Sequence, residues 1–237
     1  MGDLTTNIRC LAKFKKTVKY LLLKYRLAAQ KDYSKMWKTL SNRRNWREFI
    51  LPNRTDKEFW EEGKKQAHVL QKYVNDEDTV VDFGCGIGRV ITFIKARKRI
   101  GVDVCQEFLD KINNKSIIKV KTDGRSLNAI ESNSVTFLYS LMTFQHIRKK
   151  DHAHHIQEIF RILQPGGKAF IQFPKAGSTY YKPSSFVNVY SRKQLETLVN
   201  KSLFKKCKIE EGNLVGYGYG TVVDEKNEHF LILEKQI

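Results

Sequence analysis

The sequence predicts an α/β fold, a mostly parallel sheet with helices on both faces. Segments rich in Val, Ile and Phe alternate with helix-length polar stretches from Thr79 to Pro174, the pattern of strand–helix–strand units. The apolar run before Asp82 has the continuity of a strand buried on both faces. It then breaks at Gly84, Gly86 and Gly88, which lets the backbone pass close to a ligand before the next element begins. At 237 residues the chain can bury the core of one such domain with additions.

The loop after the first strand is the natural seat of a nucleotide-like cofactor. A dinucleotide fingerprint would place glycines at 84, 86 and 89, but position 89 is Arg. The pattern is instead Asp82-x-Gly84-x-Gly86-x-Gly88, with a carboxylate at the strand end. Val90, Ile91, Phe93 and Ile94 suggest a short apolar helix after it. A second strand, Arg99 to Asp103, ends in an acid nineteen residues past the first glycine. Carboxylate oxygens there suit the two hydroxyls of a ribose, the device dinucleotide folds use at about 20 residues. A third strand, Ile117 to Thr122, leads into Asp123-Gly124, and a fourth runs from Val135 to Ser140.

Together these motifs resemble the class I S-adenosylmethionine-dependent methyltransferases, of the type that acts on small molecules and glycans. The glycine loop matches the first motif of that family. Ser140, the Gln145-His146-Ile147 segment and Arg161-x-Leu163-x-Pro165-Gly166-Gly167 follow in the family's order, so the resemblance covers about residues 55–175. It implies a Rossmann-like, seven-stranded sheet, mostly parallel, in which Lys205–Glu211 and Glu228–Lys235 form an antiparallel C-terminal hairpin. It implies S-adenosylmethionine as cofactor, S-adenosylhomocysteine as product and no metal. Cofactor contacts are expected from Asp82, Phe83, Gly84, Cys85, Gly86, Arg89, Asp103, Val104, Asp123, Gly124, Ser140, Leu141 and Gly63, with Asp123 near the adenine amino group. Cys85 is read as a small packing residue of the loop, not a nucleophile.

Two domains are expected, a basic helical extension or lid over residues 1–54 and the methyltransferase domain over 55–237. The first sixty residues hold 15 Lys or Arg and 5 Asp or Glu, ten of the chain's eighteen net positive charges. Leu11, Phe14, Val18, Leu21, Leu22 and Tyr25 recur at helical spacing among lysines; such a helix can pack on its own domain, lie on an anionic membrane or hold a polyanion. Thr55-Asp56-Lys57-Glu58 is a capping box that opens a helix carrying Phe59, Trp60, Gly63, Ala67 and Leu70. In the family a Phe-Trp-x-x-Gly helix covers the cofactor, so Tyr33, Trp37 and Trp60 are expected at the acceptor wall, where aromatic faces suit a sulfonium. Ser191 opens another capping box, ahead of Leu195, Leu198, Val199 and Leu203.

His146 is the candidate general base, because it follows the fourth strand, whose carboxyl end faces the site in an open sheet. Gln145 is expected to orient the acceptor or the histidine; the alternative is that His146 caps a helix and only shapes the pocket. Asp151, His152, His154 and His155 are read as solvent-side residues, not as a metal cluster. Gly216 to Gly220 is either an acceptor-side lip, with Tyr217 on it, or a plain turn.

The four cysteines, at 10, 85, 105 and 207, have no C-x-x-C spacing and suit a reducing, cytoplasmic setting. No apolar run is long enough to span a bilayer. The Asn/Asp-Pro-Pro motif of base N-methyltransferases, a Pro-Cys nucleophile and the paired glutamates of arginine methyltransferases are missing. The expected reaction is O-methylation of a hydroxyl on a sugar, glycan or other polar small molecule. N-methylation of an amine, RNA methylation and a non-catalytic basic binding module remain alternatives, nucleic acid being the less favoured partner.

Overall fold

A computed structural model of the chain describes residues 33–51, 54–178, 187–214 and 226–236. The amphipathic segment before Tyr33, Cys10 and the turn bearing Tyr217 lie outside the described residues.

Seven strands form one sheet: β1 (Thr79–Phe83), β2 (Lys98–Asp103), β3 (Ile117–Lys121), β4 (Val135–Ser140), β5 (Leu163–Pro174), β6 (Lys206–Gly212) and β7 (Glu228–Glu234). Their order is β3-β2-β1-β4-β5-β7-β6. The first five run parallel, and β7 is antiparallel to both β5 and β6. This is the expected Rossmann-like sheet with its antiparallel end.

Among the described residues, five α-helices surround it: α1 (Tyr33–Ser41), α2 (Asp56–Leu70), α3 (Gln106–Leu109), α4 (His152–Ile162) and α5 (Arg192–Asn200). Both predicted capping boxes form. Thr55 and Glu58 exchange side-chain and backbone bonds at the start of α2, and Ser191 and Gln194 do so at α5.

The alternation of side chains along β1 splits the core. Val81 and Phe83 join Leu138 and Ile171 under α4 and α5, which contribute Ile156, Ile159, Leu195 and Val199. Val80 joins Phe137, Tyr139 and Phe170 on the other face, under Ala67 and Leu70 of α2. Each large apolar side chain so buried contributes about 1.5–3 kcal/mol, and both faces of β1 are closed. That closure is why its sequence shows no polar alternation.

Three local expectations are corrected. Instead of a helix after the glycine loop there is one 3-10 turn, Ile91–Phe93. The chain must return along β1 to start β2 within residues 89–97, a path of ~16 Å at the rise of a strand. An α-helix of that length covers only ~13 Å, so part of the segment stays extended. In α5, Leu203 lies past the helix end and is exposed, while Phe204 enters the core instead. His152 and His155 do not face solvent: both are 2% exposed, because they continue the inward stripe of Ile156, Ile159 and Ile162 on α4.

Candidate functional site

β1 and β4 are neighbours, and their connections leave in opposite directions. That is the switch point at which open α/β sheets bind ligands, beyond the carboxyl ends of the strands. An open cleft lies there, lined by the glycine loop and the ends of β1 and β2.

Backbone bonds close the glycine loop over its floor. Gly84 and Cys85 amides donate to the Val102 carbonyl at 2.8 and 3.0 Å. The Gly86 amide donates to Asp103 Oδ2 at 2.8 Å, and the Cys105 amide to Oδ1 at 2.9 Å. The predicted acid at the end of β2 is therefore fixed by the loop it serves. Gly84 has a φ of 85°, and a Cβ there would fall 2.1 Å from Thr143 Oγ1, so a side chain is excluded on two grounds. A Cβ at Gly86, φ 54°, would meet nothing within 4 Å.

Asp82 stands beside Tyr139 across the β1–β4 register, and the Tyr139 hydroxyl donates to its Oδ2 at 2.8 Å. Burial pushes the Asp82 carboxyl up to about 7; the tyrosine bond and the Arg89 charge oppose this, and the Asp103 charge adds to it. Burial likewise raises Asp103 to about 6, against the amides of Cys105, Gly86 and Val104. The two acids are thus held where neighbouring cations and hydrogen-bond donors decide their charge.

Of the residues singled out in the sequence, Trp37, Asp82, Phe83, Gly84, Cys85, Gly86, Arg89, Asp103, Val104, Gly124, Leu141 and His146 line the cleft. The others among the described residues lie off its wall. Ser140 is buried, and its hydroxyl is turned to the Phe83 carbonyl at 2.8 Å. Asp123 is exposed and caps its own turn through the Arg125 and Ser126 amides, which holds its carboxyl below the usual range. Trp60 packs edge-on against Phe59 and Phe93. Gly63 sits behind Arg89, and Tyr33 opens α1 away from the cleft. Gln145 is buried behind His146, its Nε2 3.0 Å from His146 Nε2.

Sequence reasoning missed Phe49, Ile50, Phe108, Met142 and His155, all on the wall. Met142 has a φ of 58°, a conformation side chains rarely take, and its amide donates to Gln172 Oε1 at 2.9 Å. No local pattern in the sequence marks it. His155 brings its ring nitrogens to 2.7 Å from the Asp151 carbonyl and 3.0 Å from that of Gly124, and the period of α4 was the available signal. Trp37 meets the His146 ring edge-on at 5.2 Å. Among the described residues, no three His, Cys, Asp or Glu side chains converge as a metal-ligand set.

The donor set fits a nucleoside with an amino-acid end. Asp103 oxygens retain acceptor capacity beyond their two amide bonds, the loop leaves open space at Gly86, and Asp82 and Arg89 offer opposite charges to a zwitterion. Apolar rings of Phe49, Phe59 and Phe108 complete the wall.

Residues 81–171 match the family model described as "Methyltransferase domain". No curated protein matches the chain by sequence. Among solved structures, a SAM-dependent methyltransferase from Archaeoglobus fulgidus superposes with a TM-score of 0.59 at 16% identity, over 74% of this chain and 94% of that one. Phosphoethanolamine N-methyltransferase 2 of Haemonchus contortus, in complex with phosphomonomethylethanolamine and S-adenosylhomocysteine, gives 0.57 at 16% identity over 73% of this chain. The present chain spans about half of that enzyme, 52%. Geranyl diphosphate C-methyltransferase of Streptomyces coelicolor gives 0.54 at 15%, over 73% and 75% of the two chains. At these identities the likeness is one of fold. Joined to the family match, it gives residues 81–171 as a methyltransferase domain on the fold of S-adenosylmethionine-dependent methyltransferases, and the loop geometry fits that cofactor.

Proposed function

We propose that this enzyme methylates a hydroxyl of a sugar, glycan or other polar small molecule, with His146 as general base. The observation that carries this reading is the position of His146 on the cleft wall, in the turn after β4, which neighbours the strand that carries the donor loop. S-adenosylmethionine, when bound, supplies a methyl group on a positively charged sulfur. Asp103 is assigned to the ribose hydroxyls, Asp82 to the ammonium of the amino-acid end and Arg89 to its carboxylate. Gly84, Cys85, Gly86, Phe83, Val104, Gly124 and Leu141 shape the seat; Asp123, Ser140 and Gly63 support it from behind.

His146 would receive the acceptor proton. With the Gln145 amide turned so that its Oε1 accepts from His146 Nε2–H, Nδ1 is left to take that proton and the ring is fixed, while Trp37 limits its swing. Holding the acceptor in line accounts for roughly 7 to 11 kcal/mol of such a barrier, and a positioned base adds a factor of about 10² to 10⁴. Residues 1–54 are assigned as a cofactor-covering extension and 55–237 as the methyltransferase domain. Trp37 of α1 lines the cleft beside His146 and supports this reading; it is assigned to the acceptor, with Tyr33, Trp60 and Tyr217 in its surroundings. The basic segment before Tyr33 is read as packing on its own domain with its lysines in water, with contact to an anionic membrane surface or a polyanion as the alternative, in a cytoplasmic enzyme.

The aromatic wall of Trp37, Phe49, Phe59 and Phe108 favours a second reading, N-methylation of a small neutral amine, whose cationic product the ring faces would meet. An acceptor screen with wild type and His146→Ala separates the two. A hydroxyl acceptor turned over by wild type, with kcat down by about 10² or more in the variant, supports the first. An amine acceptor indifferent to the substitution supports the second.

A further inference from the structure

Helix α2 grips one residue of the cleft wall from three directions. Phe59, Gly63 and Gln66 are spaced four and three apart, which puts them on one face of the helix. All three meet Arg89. At Gly63 a Cβ would fall 2.3 Å from the Arg89 carbonyl oxygen and 2.7 Å from its Cγ, so the helix backbone lies directly on the arginine. The Phe59 ring lies under the guanidinium, 5.3 Å from Cζ to centroid. Arg89 Nη2 donates to Gln66 Oε1 at 2.8 Å and stands 3.9 Å from Met142 Sδ on the far side.

Gln66 is the informative member. It is 1% exposed, and its Nε2 has no hydrogen-bond partner. Because guanidinium groups only donate, the amide orientation is fixed with Oε1 toward Arg89. A glutamine buried with half its capacity unmet is costly in a helix that packs as well with an apolar residue. Its single bond is to a cation on the cleft wall.

We propose that the Phe59–Gly63–Gln66 stripe aims the Arg89 guanidinium at the amino-acid end of the donor, with Gln66 as a positioning residue. The proposal rests on the assignment of Arg89 to the donor carboxylate. It gives α2, which lies outside the matched domain segment, a role in cofactor selection: the helix sets affinity for the carboxylate and leaves nucleoside affinity alone.

Calorimetric titration with S-adenosylhomocysteine and with 5′-methylthioadenosine, which lacks the amino-acid part, tests it. Gln66→Leu should weaken S-adenosylhomocysteine about tenfold and leave 5′-methylthioadenosine within about twofold, a selectivity that loose packing alone would not produce. Gln66→Asn, too short to reach Nη2, should behave alike and serves if the leucine variant does not fold. Arg89→Met should show the same selectivity, and adding Gln66→Leu to it should cost nothing more. Equal weakening of both ligands by the Gln66 variants, or additive losses in the double variant, overturns the positioning role. An Arg89→Met chain that keeps full S-adenosylhomocysteine affinity instead removes the carboxylate assignment beneath it.

Discussion

The glycine-loop side of the cleft, where we place the donor, and the aromatic side, which we assign to the acceptor, are built in different ways. On the donor side, β1 and β2 end together, and three backbone amides, of Gly84, Cys85 and Gly86, tie the glycine loop to Val102 and Asp103. On the acceptor side, the wall comes from α1, the Trp46–Phe49 turn, α3 and the Phe144–His146 turn, held by aromatic contacts such as Trp46–Phe108 and Trp37–His146. The first arrangement fixes what is bound; the second leaves room for relatives of one fold to act on different acceptors. The solved neighbours include an N- and a C-methyltransferase.

The largest expected effect is on the donor side. Gly84→Ala meets both a positive φ and Thr143 at 2.1 Å, and should destabilise the fold by about 3 kcal/mol in urea unfolding. Gly86→Ala, with positive φ but open space around it, should cost only about 1 kcal/mol. Equal losses at the two glycines would show that the loop is not packed against the Thr143 turn.

A proton effect comes next. With Asp82 raised to about 7 and Asp103 to about 6, the folded state holds more protons than the unfolded chain between about pH 4 and 7. These two groups therefore contribute stability that is present in acid and lost as pH rises through 6 to 7. Donor binding has the opposite sign, because the ribose and ammonium contacts use the ionised acids. Affinity for S-adenosylhomocysteine should fall as pH drops below about 7, while 5′-methylthioadenosine should follow only the lower of the two steps. A flat pH profile by calorimetry would contradict the assignment of these carboxylates.

Much of the donor side is legible in the sequence, because its chemistry is consecutive. Asp82, the three glycines and Asp103 stand at fixed spacings set by one turn and one return along the sheet. The acceptor wall is not legible in that way. Phe49, Phe108 and Met142 come from elements that no pattern links, and Met142 reaches the wall through a positive φ that its identity does not announce. The histidines of α4 depart from the expectation for another reason: their place at the start of the helix suggests solvent, but the helical period turns them inward, and His152 is so buried that its pKa falls to about 4. The helix expected after the glycine loop failed on path length, which needs strand positions that only the assembled sheet supplies.

The smallest effect is at the joint between the regions. Lys38 of α1 pairs with Glu107 of α3 at 3.3 Å, with the lysine side chain 64% exposed. Lys38→Ala should change stability by less than about 1 kcal/mol. A larger loss in thermal unfolding would mean that α1 is held by charge and not by Trp37, Met36 and Leu40.

The most direct test of the cofactor site is calorimetric titration of the wild-type chain and Asp103→Ala with S-adenosylhomocysteine. Micromolar binding by wild type, lost in the variant, is the expected result. Failure of the folded wild-type chain to bind, or unchanged binding by Asp103→Ala, would contradict the placement of the donor at the carboxyl ends of β1 and β2.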